Sequence, residues 1–557
     1  MTWLQAEKIK SLLIELVNEP SISGTKQETT MGKKIFNILN RIDYFKETPE
    51  HLFLEPLPND KYDRHFVSAF LEGTEKSKKT VILLSHFDVV DISDYGEYKD
   101  LAFKPKELTE KLKGNLEFLS DEAAHDLETG NYLFGRGVAD MKSGLAIQIA
   151  LMEYLSQNQN KLDGNLVLIT VPDEETTSQG INDSVPFLNE LKNEYDLEYE
   201  AVINCEPVFP NYPGDDNKYI YTGSIGKSLP AFYFYGKETH VGASLNGLNC
   251  NLMAAEVLGR IEGNLDLSEE MGQVVSPPPT CLQYADNKEL YSAKIPHDAS
   301  SYFNMLLLSS SPEEILIKLK QIAKEAFEEV LNRIEDRRKE YSKKKNVEFK
   351  PVEWEANVYY YSEIYKMAYD KIGEKLDDKI QIIYEKYKDN NRIDQQGLGM
   401  KIIEQVHHYC PNKEPKIIIG YLPPYYPPVS ITGVDSREKR ILNIMDEVVT
   451  MADDEFNEDL EICESFPGIS DLSYFRLDDF EATANYLKPN MPNWNLDYSI
   501  PIKEVNNLDV PGINISVYGK DVHKFTERLE LDYSLNVVPE LLKYSVLRLL
   551  RSVENEY

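Results

Sequence analysis

Thiols are scarce in this chain of 557 residues: there are five cysteines, none in a C-x-x-C pair. Cys205, Cys250, Cys281, Cys410 and Cys463 are scattered and odd in number, which argues against a disulfide framework or a thiolate zinc site and fits a reducing cytoplasm. Positive charge is short too. Sixty lysines and arginines against 94 aspartates and glutamates leave a net charge of −34. No basic tract offsets that field, so nucleic acid and anionic membranes are excluded as partners. Long apolar runs are also missing, and nothing approaches the ~18 residues of a membrane span. The N-terminal stretch MTWLQAEKIKSLLIELVNEPSISG fails as a signal peptide because Lys8, Lys10 and Glu15 interrupt it; it reads as an amphipathic helix that stops before Pro20. What is present, 42% hydrophobic and 11% aromatic residues, is globular composition rather than disorder.

Short apolar runs alternate with helical patterns through the first third. Residues 80–85 (TVILLS), 165–171 (NLVLITV) and 201–205 (AVINC) read as buried strands, and 141–156 as a helix. This alternation predicts an α/β fold with a mostly parallel sheet covered by helices. The pattern returns near the end as a strand at 514–519 and a closing helix at 537–552. The middle differs. Residues 219–235 alternate like two antiparallel strands around Gly223 and Gly226, and a helix follows over 248–261. Longer helical stretches cover 312–344 and 358–388, and 416–430 reads as a strand followed by a Pro/Tyr loop. Residues 214–435 are therefore expected as a second, α+β domain inserted between 1–213 and 436–557. Residues 95–131 are polar and read as an irregular surface excursion.

Polar residues follow the strands directly. His86 and Asp88 come after TVILLS, and Asp140 comes just before the 141–156 helix. Asp173, Glu174 and Glu175 come after NLVLITV, Glu206 after AVINC, and His523 after the last strand. Ligands of an open parallel sheet bind at its carboxyl edge, so these positions bring two imidazoles and several carboxylates to one rim. That many carboxylates cannot all stay ionised without cations between them. A dinuclear metal site meets the need. Imidazole with carboxylate and no thiolate suits zinc in an open site, with Mn²⁺ or Co²⁺ as alternatives. Two such ions ~3.5–4 Å apart can share a water and lower its pKa toward ~7. One carboxylate of the Glu174-Glu175 pair is then free to take that water's proton. H-x-D, E-E and G-R-G are each commonplace alone, and Gly135-Arg136-Gly137 lacks the G-K-[ST] ending of a phosphate loop. The joint order carries the weight.

That order resembles the M20 family of metallopeptidases and amidohydrolases. The matching stretches are SHFDVVD, GRGVADMKSG, VPDEET, NCEPV, GKETHVGAS and GKDVHKFTERL, in the family's order across most of the chain. The last stretch and the length are most similar to the arginine-utilisation (RocB-type) branch. The resemblance implies a zinc-hydrolase catalytic domain with an inserted lid. It implies two metals, with His86 on the first, His523 on the second, Asp140 bridging both, and Glu175 and Glu206 each on one. Glu174 becomes the general base, Asp88 orients His86, and His240 is the lid histidine that meets the developing oxyanion from a partner subunit. Gly223–Gly226 matches the turn that begins the lid. The chain also departs from the family. Relatives hold an arginine in the lid that grips the substrate carboxylate, and residues 285–301 contain none. The usual Gly-Gly-Thr-Asp segment reads Pro467-Gly468-Ile469-Ser470-Asp471, and about 345–413 is an extra, mostly helical stretch.

The expectation is a cytoplasmic di-zinc hydrolase of an amide bond in an N-acyl amino acid or small peptide, in arginine or amino-acid catabolism. A homodimer through the lid is the further partner that the resemblance allows. Two alternatives stand beside it: a two-metal hydrolase of another ester bond, and a non-catalytic amino-acid-binding or regulatory protein on the same fold.

Overall fold

The computed structural model describes residues 6–551, apart from 74–76, 211, 213, 289, 389 and 391. The first five residues of the expected N-terminal helix, and Ser552 of the closing one, lie outside the described residues. Two sheets organise the chain. The larger has eight strands in the order Leu52–Pro56, His65–Leu71, Asn165–Val171, Lys79–His86, Glu198–Asn204, Gly512–Ile515, Lys218–Tyr221 and Leu460–Cys463. Its four central strands, Asn165–Val171 through Gly512–Ile515, run parallel, and antiparallel pairings flank them on both sides. All seven residues of Asn165–Val171 are buried, as an unbroken apolar run requires when helices cover both faces.

Side-chain alternation splits this sheet between two cores. Val81 and Leu83 face helices Ala6–Val17, Lys142–Ser156, Ser436–Phe456 and Val538–Leu550, while Ile82 and Leu84 face Gln179–Glu194 and Ile502–Leu508. Each such buried side chain contributes about 1.5–3 kcal/mol. The second core continues without a break into the smaller sheet. That sheet runs in the order Thr280–Asp286, Asp298–Leu307, Gly226–Tyr235, Lys416–Tyr426, Asn357–Tyr360. Phe232, Phe234, Ile417 and Ile419 pack on one face against helices Cys250–Ile261 and Pro312–Lys345. Leu229, Ala231, Tyr233, Ile418 and Leu422 pack on the other against Tyr361–Ile372, Lys375–Tyr387 and Gln395–Tyr409. The extra stretch thus supplies three helices over one sheet face, plus an edge strand.

Four expectations change. Residues 219–235 are not a paired hairpin: Lys218–Tyr221 belongs to the large sheet and Gly226–Tyr235 to the small one. Between them Gly223–Ser224 pairs with the returning Val429–Ser430. A Cβ on Gly223 would meet the Val429 carbonyl oxygen at 2.4 Å and one on Gly226 the Pro428 nitrogen at 2.5 Å, so the crossing demands glycine. The expected 358–388 helix begins instead as the strand Asn357–Tyr360, which adds to the sheet beside Lys416–Tyr426. Residues 95–131 hold helices Pro105–Lys113 and Asp121–Thr129, which close over their own apolar cluster around Tyr95, Leu108, Leu112 and Leu127.

The Pro/Tyr segment is likewise not a loop after the strand: its first residues are the end of a fully buried strand, Lys416–Tyr426. Pro423 and Pro424 have no N–H to donate to a ladder, and the register shifts between Leu422 and Tyr426. Tyrosine hydroxyls replace the lost pairing. The Tyr425 amide donates to the Tyr498 hydroxyl at 2.8 Å, and the Tyr425 carbonyl accepts from Tyr474 at 2.9 Å and Tyr498 at 3.1 Å. Tyr498→Phe therefore leaves a buried amide unpaired. It should lower stability by about 1–3 kcal/mol, seen as an earlier urea midpoint; an unchanged midpoint would refute this role.

Candidate metal centre

The four central strands end on the same edge because they run parallel. His86 is the last residue of Lys79–His86, Glu174 and Glu175 follow Asn165–Val171, and Glu206 follows Glu198–Asn204. Asp140 precedes the Lys142–Ser156 helix, and His523 lies in the turn after Gly519–Lys520 with φ 67°.

The expected ligands meet there in two sets that share Asp140. His86 Nε2 lies 3.1 Å from Asp140 Oδ1 and 3.6 Å from Glu206 Oε1. His523 Nε2 lies 3.0 Å from Asp140 Oδ2 and 3.1 Å from Glu175 Oε1. Donors about 2.1 Å from a common tetrahedral ion stand roughly 3.4 Å apart, so these contacts are of the length that ligands of one cation would have. His86, Asp140 and Glu175 also offer ligand atoms within 4.8 Å of one another. Glu174 stays outside both sets, with Oε2 3.9 Å from His86 Nε2. The His86 side is buried, whereas the His523 side chain is 47% exposed, so the centre opens on the His523 side.

Electrostatics explain why these groups need one another. Burial, with Asp140 adding to it, pushes the Glu206 carboxyl up to about 7 against the pull of His86. Burial also drives Glu174 well above the carboxylate range, with Asp471, Glu175 and Glu206 adding to it. Burial disfavours charge on His523, yet hydrogen bonds to Asp140 and Glu175 outweigh it and raise the ring to about 10. His86 is raised for the same reason by Glu206, Asp140 and Asp88. Asp140, wedged between two imidazoliums, is held below its ordinary value despite burial.

Asp88 does more than orient His86. Its main-chain oxygen accepts from His86 Nδ1 at 3.1 Å, leaving Nε2 for the centre. Its carboxylate lies 3.5 Å from the same ring and accepts the Glu174 and Glu175 amides at 3.1 and 3.2 Å and the Ser23 hydroxyl at 2.6 Å. Behind that loop Asp173, with φ 73°, takes Arg64 at 2.5 Å and the hydroxyls of Thr176 and Thr177. His240 is exposed; it accepts from the Gly242 amide, and no hydrogen bond or ion pair joins it to the cluster.

Two functional groups escaped the sequence reading. Glu527 accepts from the Gly137, Ala139 and Asp140 amides at 2.8–3.4 Å and from Arg136 at 2.7 Å, fixing the turn that presents Asp140. Its signal was its place in the GKDVHKFTERL stretch, four residues after His523. Asp471, noted only as part of an altered segment, is buried with neither carboxylate oxygen hydrogen-bonded. Burial raises it to about 8.

The family model described as peptidase family M20/M25/M40 matches residues 82–493. The chain is 37% identical over 555 residues to the uncharacterized protein YqjN of Bacillus subtilis, covering 100% of this chain and 98% of that one. It is 34% identical over 547 residues to protein RocB of the same organism, covering 98% and 96%. Among solved structures, Bacillus subtilis YXEP, a dinuclear metal-binding peptidase, shares the fold at TM-score 0.50 and 12% identity, with 97% of each chain covered.

Two outcomes follow from this geometry. Both rings hold a proton more readily than a free imidazole, and a cation accepts only the neutral ring. Loading should therefore release protons, with affinity strengthening as pH rises toward the His523 value of about 10. Calorimetry in buffers of different ionisation enthalpy measures this; uptake without proton release would contradict it. Glu527→Gln should weaken metal affinity by about 10-fold or more, read by competition with a chelator, while the circular-dichroism spectrum is kept.

Proposed function

The chain belongs to the peptidase family M20/M25/M40, and on that premise we propose that it is a di-zinc amidohydrolase acting on an N-acylated amino acid or a small peptide. The observation that carries this reading is Glu174, a buried carboxyl 3.9 Å from His86 and outside both ligand sets. A pure binding site has no use for an extra proton carrier at that position. Histidine, the bridging Asp140, Glu175 and Glu206 form an oxygen and nitrogen donor set suited to zinc. Bound there, the ions supply Lewis acidity that activates a water and polarises the scissile carbonyl. Glu174 takes the proton of the attacking water. It returns that proton to the amide nitrogen as the carbon–nitrogen bond breaks, which yields a carboxylate and an amine. The environment supports both steps, because burial and neighbouring carboxylates raise the Glu174 carboxyl well above the usual carboxylate range, which makes it a better proton acceptor. Asp88 sets where Glu174 stands through its backbone amide. Kinship with RocB supports a place in arginine or amino-acid catabolism.

The zinc-loaded protein is to be tried on a panel of N-acyl amino acids and dipeptides. At least one should be hydrolysed, and Glu174→Gln should lose about 10²–10⁴-fold in kcat with unchanged metal content. Wild-type turnover in that variant, or no turnover on the panel, would overturn the reading.

A further inference from the structure

An amino acid or peptide fragment presents a carboxylate, and an anion entering this acidic centre needs a cation that is not already spoken for. Most basic side chains around the centre are spoken for. Arg64 is shared by Glu28, Asp60 and Asp173, and Arg136 by Glu527 and Asp94. Lys142 donates to the Leu16 and Glu19 carbonyls. Lys520 and Arg528 both pair with Asp126. In residues 285–301, where relatives carry an arginine, Lys288 donates to the Ser292 and Lys294 carbonyls and Lys294 pairs with Glu238.

Lys227 is different. It is half-buried, and among the described residues its ammonium has neither a hydrogen bond nor an ion pair. It stands second in the strand Gly226–Tyr235, just past the glycine crossing from the large sheet, and pairs across the ladder with Tyr426. Directly paired residues of antiparallel strands project to the same side. Tyr426 shows where that side looks, since its hydroxyl meets the Ser178 hydroxyl at 3.0 Å at the end of the loop that carries Glu174 and Glu175. Burial pulls the ammonium's pKa down, and the Glu174 carboxyl is the group that acts against that pull. A partly buried ammonium without a partner is costly, and the cost is removed when a ligand brings the counter-charge.

We infer that Lys227 binds the substrate's carboxylate and takes over, from the smaller sheet of the same chain, the role that the arginine-free 285–301 segment leaves vacant. This rests on the amidohydrolase reading for what the substrate is, but the pairing is testable by itself. The zinc-loaded Glu174→Gln protein is titrated calorimetrically with N-acetylated alanine, leucine and arginine, each as free acid and as carboxamide. The free acids should bind more tightly than their carboxamides by about 10- to 100-fold, the range of a charge-assisted pair. Lys227→Met should erase that preference, leave carboxamide binding where it was and keep the zinc content. Lys227→Arg should restore most of it. Equal losses for acid and amide, loss of zinc in Lys227→Met, an undiminished preference, or no binding of any free acid would each overturn the assignment. The amidohydrolase reading fails separately, by absence of turnover in the zinc-loaded wild type, whether or not the acid preference depends on Lys227.

Discussion

Repulsion among buried carboxylates is the constraint around which this molecule is arranged. Asp88, Asp140, Glu174, Glu206 and Asp471 are all buried at one edge of one sheet, with Glu175 beside them. Left uncompensated they could not stay ionised together. Each surrounding device answers that problem: two imidazoles on opposite oxygens of Asp140, backbone amides on Asp88 and Glu527, and Arg64 and Arg136 behind. The same surplus suits the centre to divalent cations.

The scaffold holds these charges in place through hydrophobic continuity. One core lies on the far face of the large sheet, and the other runs from the near face straight into the smaller sheet. The smaller sheet is therefore seated on the site by apolar packing and by the tyrosines around Tyr425, in addition to the double crossing at Gly223 and Val429. This sets Tyr426, and Lys227 paired with it, beside the loop that carries Glu174 and Glu175 without relying on a flexible tether.

The central strands were legible because a strand buried on both faces leaves an unbroken apolar run, as in NLVLITV. His86, Asp140, Glu175, Glu206 and His523 were legible because chemistry after such runs must share an edge, and the structure does bring them together. The crossing at Tyr221–Gly226 was not, since alternation looks the same whether two strands pair with each other or with different sheets. The Pro/Tyr strand was not, because its lost ladder bonds are replaced by Tyr474 and Tyr498, some fifty and seventy residues away along the chain. Asp471 and Lys227 could not be told from ordinary polar residues without knowing which partners they have or lack, and Glu527 showed only through its place in the GKDVHKFTERL stretch. His240 took its expected role from the resemblance, as a residue reaching in from a partner subunit; within one chain it stands on an exposed turn.

Asp88 links two duties in one residue. Its carbonyl sets the ring of one expected ligand, and its carboxylate sets the backbone of both glutamates. Any drift of the strand end that carries it displaces His86 and Glu174 in concert, so the spacing between them survives thermal motion that would blur two independently mounted groups. The pair behaves as a single rigid jaw, whose accuracy comes from a common mounting rather than from stiffness of the surrounding loops.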